Sequence, residues 1–286
     1  MNDLQPGTVI ELKVSHRAPF GFFLTAESGG NDILLHENDC LAPLEDGERV
    51  TVFLYQDHEG RLAAAQRIPT IQLGRYGWAT ATTQHKKYGV FLNIGIQKDI
   101  LLSKDDLPEP WQDWPAARDR VFCCLKIDKK GRLFAQLADE TAIHVLRKDA
   151  SDEAMNSETD AVVYRFVNDG FHVLSAEGWT GFLHKNETTG RIRLGETIRC
   201  RITDCKPDGS VNLSMKPRVF ERIDSDAAFV FSYLQQRGGA MPYGDKTPAE
   251  EVAARFKMSK GSFKKALGRL LREKQIEQRD GWTYLK

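Results

Sequence analysis

Three motifs recur in the same order along the 286 residues, and this repetition constrains the fold more than any single segment. Phe20-Gly21-Phe22-Phe23 is followed by Asp32-Ile33-Leu34-Leu35-His36 and then by Asp57-His58-Glu59-Gly60-Arg61-Leu62. Tyr88-Gly89-Val90-Phe91, Asp99-Ile100-Leu101-Leu102-Ser103 and Asp128-Lys129-Lys130-Gly131-Arg132-Leu133 restate the series. A blurred third copy runs through Asp169-Gly170-Phe171-His172, Thr180-Gly181-Phe182-Leu183-His184 and Pro207-Asp208-Gly209-Ser210. Recurrence at a spacing of about 70 residues marks tandem copies of one small domain.

Within the first copy, segments 7–14, 20–25, 32–35, 50–55 and 62–65 read as short strands separated by Gly-rich or charged turns. The second copy offers 76–83, 89–93, 99–102, 121–127 and 133–137, and the third 161–167, 171–174, 178–183, 197–203 and 210–215. Five strands in about 60 residues suit a closed barrel of the oligonucleotide-binding (OB) type. The expected architecture is mostly β, with three five-stranded barrels at 1–67, 68–140 and, after an acidic linker, within 141–220.

A hydrophobic share of 41% and a charged share of 28% are those of a soluble globular protein. The formal net charge is zero, so the chain has no long-range attraction for nucleic acid, and any such binding must come from local patches. Five cysteines without paired-ligand spacing read as reduced, mostly buried thiols. The first seven residues lack the basic and apolar regions of a signal peptide, and no apolar run approaches membrane length, so a cytoplasmic protein is expected, with no membrane contact.

Phe-Gly-x-Phe, then an apolar strand ending in His, then Asp-x-x-x-Arg, resembles the ribosomal-protein S-one type of RNA-binding domain. In that family two aromatics, a histidine, an aspartate and an arginine form a barrel face that binds single-stranded RNA. The resemblance implies a complete set in the first copy: Phe20, Phe23, His36, Asp57 and Arg61. The second supplies Tyr88, Phe91, Asp128 and Arg132, with Ser103 in the histidine's place. The third keeps His184, with Asp169, His172 and Ser210 replacing the other residues and Asp204 near the aspartate position. The third barrel is therefore expected to bind RNA weakly or to act as a spacer.

The chemistry accounts for the combination. Aromatic faces accept stacked bases at about 1 to 3 kcal/mol each, and an adjacent arginine adds cation–π and phosphate contacts, so unpaired strands bind with little sequence preference. An isolated Phe on such a strand is more simply a core residue; the grouping is what favours a binding face. Lys86 and Lys87, beside Tyr88, add basic charge, although a solvated loop would look the same.

Residues 138–160 carry seven acidic side chains against Arg147 and Lys148, reading as a spacer with a short helix near 150–155. After Lys216-Pro217-Arg218 the pattern turns helical: 227–236, then a helix opened by Thr247 as cap with Pro248 at its first position, then one capped by Ser259. The last ten residues read as a hairpin around Asp280-Gly281. Three helices and a hairpin over 221–286 resemble a winged helix. Its last helix has six basic residues and one acid between 259 and 274, which makes Lys260, Lys264, Lys265 and Arg269 candidate phosphate contacts, with duplex nucleic acid a further candidate partner.

Barrels of this type followed by a winged helix make the whole chain similar to the conserved virulence factor B family of bacterial RNA-binding regulators. The resemblance implies a cytoplasmic protein that binds RNA and affects gene expression after transcription, without catalysis or cofactor. No Walker loop, Gly-x-Ser-x-Gly elbow or His-Glu-x-x-His pair argues for an enzyme. Two other classes stay open: a winged-helix transcription factor, and a protein-binding adaptor on the ribosome or the RNA-degradation machinery. A monomer is the default expectation, because each module can bury its own core.

Overall fold

The computed structural model describes residues 4–27, 29–217 and 219–286, the side chains of 219–223 excepted. Arg218, at the expected boundary of the winged helix, and the first three residues lie outside that set. Two compact units meet in sequence between Lys216 and Pro217.

The first unit holds three closed barrels. Barrel one comprises β1 (Val9–Ala18), β2 (Gly21–Thr25), β3 (Ile33–His36), β4 (Arg49–Gln56) and β5 (Leu62–Ala65). Barrel two comprises β6 (Gly77–His85), β7 (Gly89–Asn93), β8 (Ile100–Ser103), β9 (Arg120–Ile127) and β10 (Leu133–Leu137). Barrel three comprises β11 (Glu158–Val167), β12 (Gly170–Ser175), β13 (Thr180–His184), β14 (Thr197–Cys205) and β15 (Val211–Ser214). Around each barrel the strands follow one order, β1-β2-β3-β5-β4 in the first. The third and fifth strands pair in parallel, and the other pairs are antiparallel.

Period-two alternation sets the two faces of each strand. In β2, Phe22 and Leu24 enter the core and Phe23 points out; in β3, Ile33 and Leu35 enter while Leu34 and His36 are half-exposed. A bulge interrupts β1 between Val14 and His16, β6 between Ala81 and Thr83, and β11 between Val163 and Arg165. The added local twist lets each first strand coil far enough to pair with two neighbours.

The glycine of the Phe-Gly-x-Phe motif is required by close packing. A Cβ on Gly21 would lie 2.2 Å from the Leu35 carbonyl oxygen, and one on Gly89 would lie 2.0 Å from that of Leu102. Both residues also have positive φ, +150° and +135°, where other side chains are strained.

Barrels one and two share buried surface. Leu12, Leu24, Leu35, Val52 and Leu54 fill barrel one, whereas Phe53, Tyr55, Ala63 and Ala65, on the outer faces of β4 and β5, are buried in one cluster with Ile94, Ile96 and Leu92 of barrel two. The buried Asp39 carboxylate accepts from the Tyr55 hydroxyl at 2.6 Å and the Gln97 N–H at 2.9 Å, so its polar atoms are satisfied across the join. Barrels two and three meet through Arg193, whose Nε donates to Asp119 at 2.9 Å, and through the backbone bonds Leu194 N–H to Asp113 and Arg120 N–H to Gly195.

The acidic linker is not a spacer. Its one α-helix is α1 (Glu140–His144), opened by Asp139, whose carboxylate accepts from the Ala142 N–H. At the expected helix near 150–155 there is only a single 3₁₀ turn, Asp152–Ala154. The segment packs on barrel three, with the Lys148 N–H bonded to the Gly178 carbonyl and the Ala150 N–H to that of Gly209.

The second unit is a winged helix of α2 (Val219–Gln236), β16 (Ala240–Met241), α3 (Ala249–Phe256), α4 (Lys260–Arg272), β17 (Ile276–Arg279) and β18 (Trp282–Leu285), with sheet order β16-β18-β17. Val230, Leu234, Val252, Phe263, Leu267 and Leu270 close its core. Thr247 does not cap α3: Pro248 holds the cap position, and the Thr247 hydroxyl accepts from the Gly244 N–H. Ser259 caps α4, accepting from the Ser262 N–H. Asp280 and Gly281 both have positive φ, as a tight hairpin turn needs. Among the described residues no helix is long and apolar enough to cross a membrane.

Candidate nucleic-acid interface

Strand registers align the three barrels residue by residue. His16 pairs with Phe23, Thr83 with Phe91, and Arg165 with His172. Going on across the sheet, the outward row reads Phe23, Leu34 and Ala63 in barrel one. It reads Phe91, Leu101 and Phe134 in barrel two, and His172, Phe182 and Asn212 in barrel three.

In barrel one the predicted aromatics come together. Phe20, in the turn before β2, is 45% exposed, and its ring centroid is 6.2 Å from that of half-buried Phe23 in an edge-on arrangement. His16 stacks on Phe23 at 5.0 Å. The sequence reading missed His16; its signal is its place opposite Phe23 in the β1–β2 hairpin. The row ends at Ala63, which lies buried under barrel two, so the open face of barrel one is confined to β1, β2 and β3.

The aspartate and arginine form a clamped turn. Asp57 accepts from the Arg61 backbone N–H at 2.9 Å and from its Nε at 2.8 Å. Asp128 accepts from the Arg132 N–H at 2.8 Å, its Nε at 2.9 Å and its Nη2 at 2.8 Å. Burial pushes the Asp57 carboxyl upward, but the bonds from Arg61 and the Glu59 N–H outweigh it and hold the carboxyl below its ordinary range. The Arg132 N–H leads the same effect at Asp128. Each aspartate therefore keeps its charge and fixes the aim of an arginine whose side chain stays largely exposed.

The histidine position is first of all a cap. The His36 and His184 Nδ1 atoms accept from the Asn38 and Asn186 N–H groups, and the Ser103 hydroxyl accepts from the Asp105 N–H. Each opens a one-turn 3₁₀ helix. Ser103 thus keeps the local role and gives up only the ring.

In barrel two, Phe91 and Arg132 line one cleft together with Phe134, over whose ring the Arg132 guanidinium lies at 5.4 Å. Phe134 was overlooked in sequence although it stands two residues after Arg132. Tyr88, 48% exposed, stacks on His85 at 4.5 Å. The Lys87 ammonium sits 5.4 Å from the Tyr88 ring, and that of Lys86 sits 4.0 Å from the Trp111 ring. Trp111 and His85 join this aromatic patch without having been predicted.

Barrel three differs in two ways. The bonds Lys206 N–H to Ser210 and Gly209 N–H to Lys206 match those of the Asp57 and Asp128 turns. The aspartate position is therefore Lys206, not Asp204, which instead accepts from the Asn212 side chain at 3.2 Å. Moreover, α1 packs against this face: Glu140 Oε1 lies 2.8 Å from His172 Nδ1 and 2.9 Å from the Arg165 guanidinium, and the Tyr164 hydroxyl donates to Oε2. Asp169, in the first aromatic's place, pairs with Lys185 at 3.5 Å.

On the winged helix, Lys264 and Lys265 are exposed on α4, and Lys260 is half-buried at its start. Arg269 is tied into ion pairs with Asp224 of α2 and, at 2.9 Å, with Glu273. It serves helix packing and is not a free cation.

Family models match along the chain: an S1 domain over 6–67, the CvfB first S1-like domain over 76–136, the second domain of virulence regulatory factor CvfB over 143–217, and a CvfB-like winged helix domain over 228–285. The uncharacterized protein YitL of Bacillus subtilis is 40% identical over 286 residues, covering 100% of this chain and 95% of the relative. Conserved virulence factor B of Staphylococcus haemolyticus is 34% identical over 83% of this chain and 80% of its own length. A crystal structure of a multidomain protein with nucleic acid binding domains from Streptococcus pneumoniae superposes with a TM-score of 0.69 at 31% identity, covering 98% of each chain. By domain order, domain matches and full-length identity, the chain belongs to the conserved virulence factor B family.

Proposed function

We propose that this protein binds single-stranded RNA on barrels one and two and regulates gene expression after transcription, without catalysis of its own. The observation that carries this reading is the row of outward aromatics flanked by a clamped arginine: Phe91 and Phe134 with Arg132 in barrel two, matched by the His16, Phe23 and Phe20 cluster in barrel one. Half-exposed rings cost a folded protein solvation and serve unpaired bases, whose faces a duplex hides. Barrel three, whose outer face carries the linker carboxylate of Glu140, contributes little RNA contact. The winged helix adds phosphate contacts through Lys264 and Lys265. The protein works as a cytoplasmic monomer.

The test is a salt titration of binding to an unstructured RNA oligomer and to duplex DNA of equal length, using the full chain and residues 1–216. Tighter RNA binding that survives truncation and weakens as salt rises is the expected result. Preference for duplex DNA that disappears on truncation would instead make the protein a winged-helix DNA binder. Negligible binding of either would leave the adaptor reading.

A further inference from the structure

Barrel one does more than sit beside barrel two. Its β4–β5 turn, residues 57–60, forms one wall of the cleft whose floor is the Phe91, Leu101 and Phe134 row of barrel two. The cleft has a volume of about 440 Å³, inside the range of about 300–1,000 Å³ that takes nucleotide-sized molecules. The wall is fixed in place: Lys98 Nζ donates to the Asp57 carbonyl oxygen at 2.8 Å, and the two barrels share the buried cluster around Tyr55 and Ile96.

The lining sorts by chemistry. Two half-exposed rings on the floor present π-faces, and Leu101 lies between them. Lys98, Lys130 and Arg132 line it as cations against the carboxylates of Asp57 and Asp99. Asp128 already fixes the Arg132 guanidinium. Lys98 is half-buried and makes its hydrogen bond to a neutral carbonyl, and burial depresses its affinity for a proton despite the charge of Asp57. An anion arriving there would find an ammonium stripped of part of its water.

We infer that the barrel one turn and the barrel two face together form a composite site that encloses a single nucleotide of an unpaired RNA strand. Its base lies over Phe91 and Phe134, and its phosphate lies among Lys98, Lys130 and Arg132. The inference rests on the RNA-binding reading above and adds that the binding unit is the pair of barrels, not each barrel alone. It also explains why the row of barrel one can end in buried Ala63: that edge is used to seat barrel two, and the aromatic place passes to Phe134.

The experiment measures binding of a fluorescent twelve-residue oligouridylate to the full chain and to the Phe134→Ala, Lys98→Gln and Phe23→Ala variants. It is paired with ultraviolet crosslinking of a 4-thiouridine-substituted oligomer and peptide mapping. The expected result is a loss of about 5- to 100-fold for Phe134→Ala and Lys98→Gln, with crosslinks in both the 57–61 and 130–136 segments. Circular dichroism checks that each variant is folded. Wild-type binding weakened by Phe23→Ala but untouched by Phe134→Ala and Lys98→Gln would overturn the composite site while leaving the RNA reading intact. Crosslinks in barrel two with none in 57–61 would remove the turn as a wall. Failure of the wild-type chain to bind would end both readings.

Discussion

Glu140 and His172 meet at 2.8 Å on the outer face of barrel three, at the register position that Phe23 and Phe91 hold in the other two barrels. The linker thus supplies a carboxylate where the neighbouring barrels leave an open ring. Burial pushes the Glu140 carboxyl upward, but hydrogen bonds from His172 and Arg165 prevail and hold it below the ordinary carboxylate value. A depressed folded value means that the contact contributes stability above the unfolded value of about 4.3 and loses it as pH falls through the folded one. The groups are partly exposed, so the contribution is below about 1 kcal/mol. Wild-type protein should show falling amide-exchange protection in α1 as pH drops below about 4.3, and Glu140→Gln should show protection lower by up to about 5-fold there at neutral pH. An identical acid profile in the two proteins would place the docking of α1 elsewhere.

The motif glycines separate fold from function. Gly89→Ala places a methyl group 2.0 Å from the Leu102 carbonyl oxygen at a residue with φ of +135°, so barrel two should lose about 2 to 4 kcal/mol in urea titration. Tyr88→Ala, one residue earlier and half-exposed, should leave the urea midpoint nearly unchanged. Equal losses in the two variants would mean that Tyr88 is structural.

The barrels were legible because their determinants are local. Strand alternation, the turn glycines and the Asp-to-Arg spacing all act within a few residues, and the repeat displays each determinant more than once. What escaped were contacts between segments distant in sequence. The burial of Ala63, and with it the narrowed face of barrel one, depends on barrel two. The acidic linker reads as a spacer, yet Glu140 finds Arg165 and His172 only after 25 and 32 residues of chain fold back. The third turn, read from sequence at Asp204, lies two residues further on at Lys206, and β14 carries an irregularity between Ile202 and Asp204 that breaks the strand count.

The stack in barrel one yields a separable binding defect. Phe23 has two ring neighbours, His16 and Phe20, and its ring lies on the outer face. Phe23→Ala should weaken RNA binding by about 1 to 3 kcal/mol, or about 5- to 150-fold, with a melting temperature close to wild type. His16→Ala should show a smaller loss in the same direction. A Phe23→Ala variant that binds normally would return Phe23 to the role of a packing residue.

Asp128 acts through Arg132. Because the carboxylate orients the guanidinium and touches no ligand itself, Asp128→Ala and Arg132→Ala should each weaken RNA binding, and the double variant should be no worse than Arg132→Ala alone. Additive losses would show that Arg132 keeps its aim without the clamp. Arg132→Lys should fall short of wild type, since an ammonium cannot reproduce the paired Nε and Nη2 bonds.

On the winged helix, the lysines and the arginine of α4 should part company. Lys264 and Lys265 are exposed, and a phosphate contact at each contributes about 0.7 to 0.9 to the slope of log affinity against log salt. The Lys264→Ala, Lys265→Ala double variant should therefore flatten that slope by up to about 2 without changing the melting temperature. Arg269 is held by Asp224 and Glu273, so Arg269→Ala should leave the slope alone and lower the stability of the second unit by up to about 1 kcal/mol. Should Arg269→Ala flatten the slope as much as the lysine pair does, the ion pairs with Asp224 and Glu273 would have to open on binding, and Arg269 would join Lys264 and Lys265 as a phosphate contact.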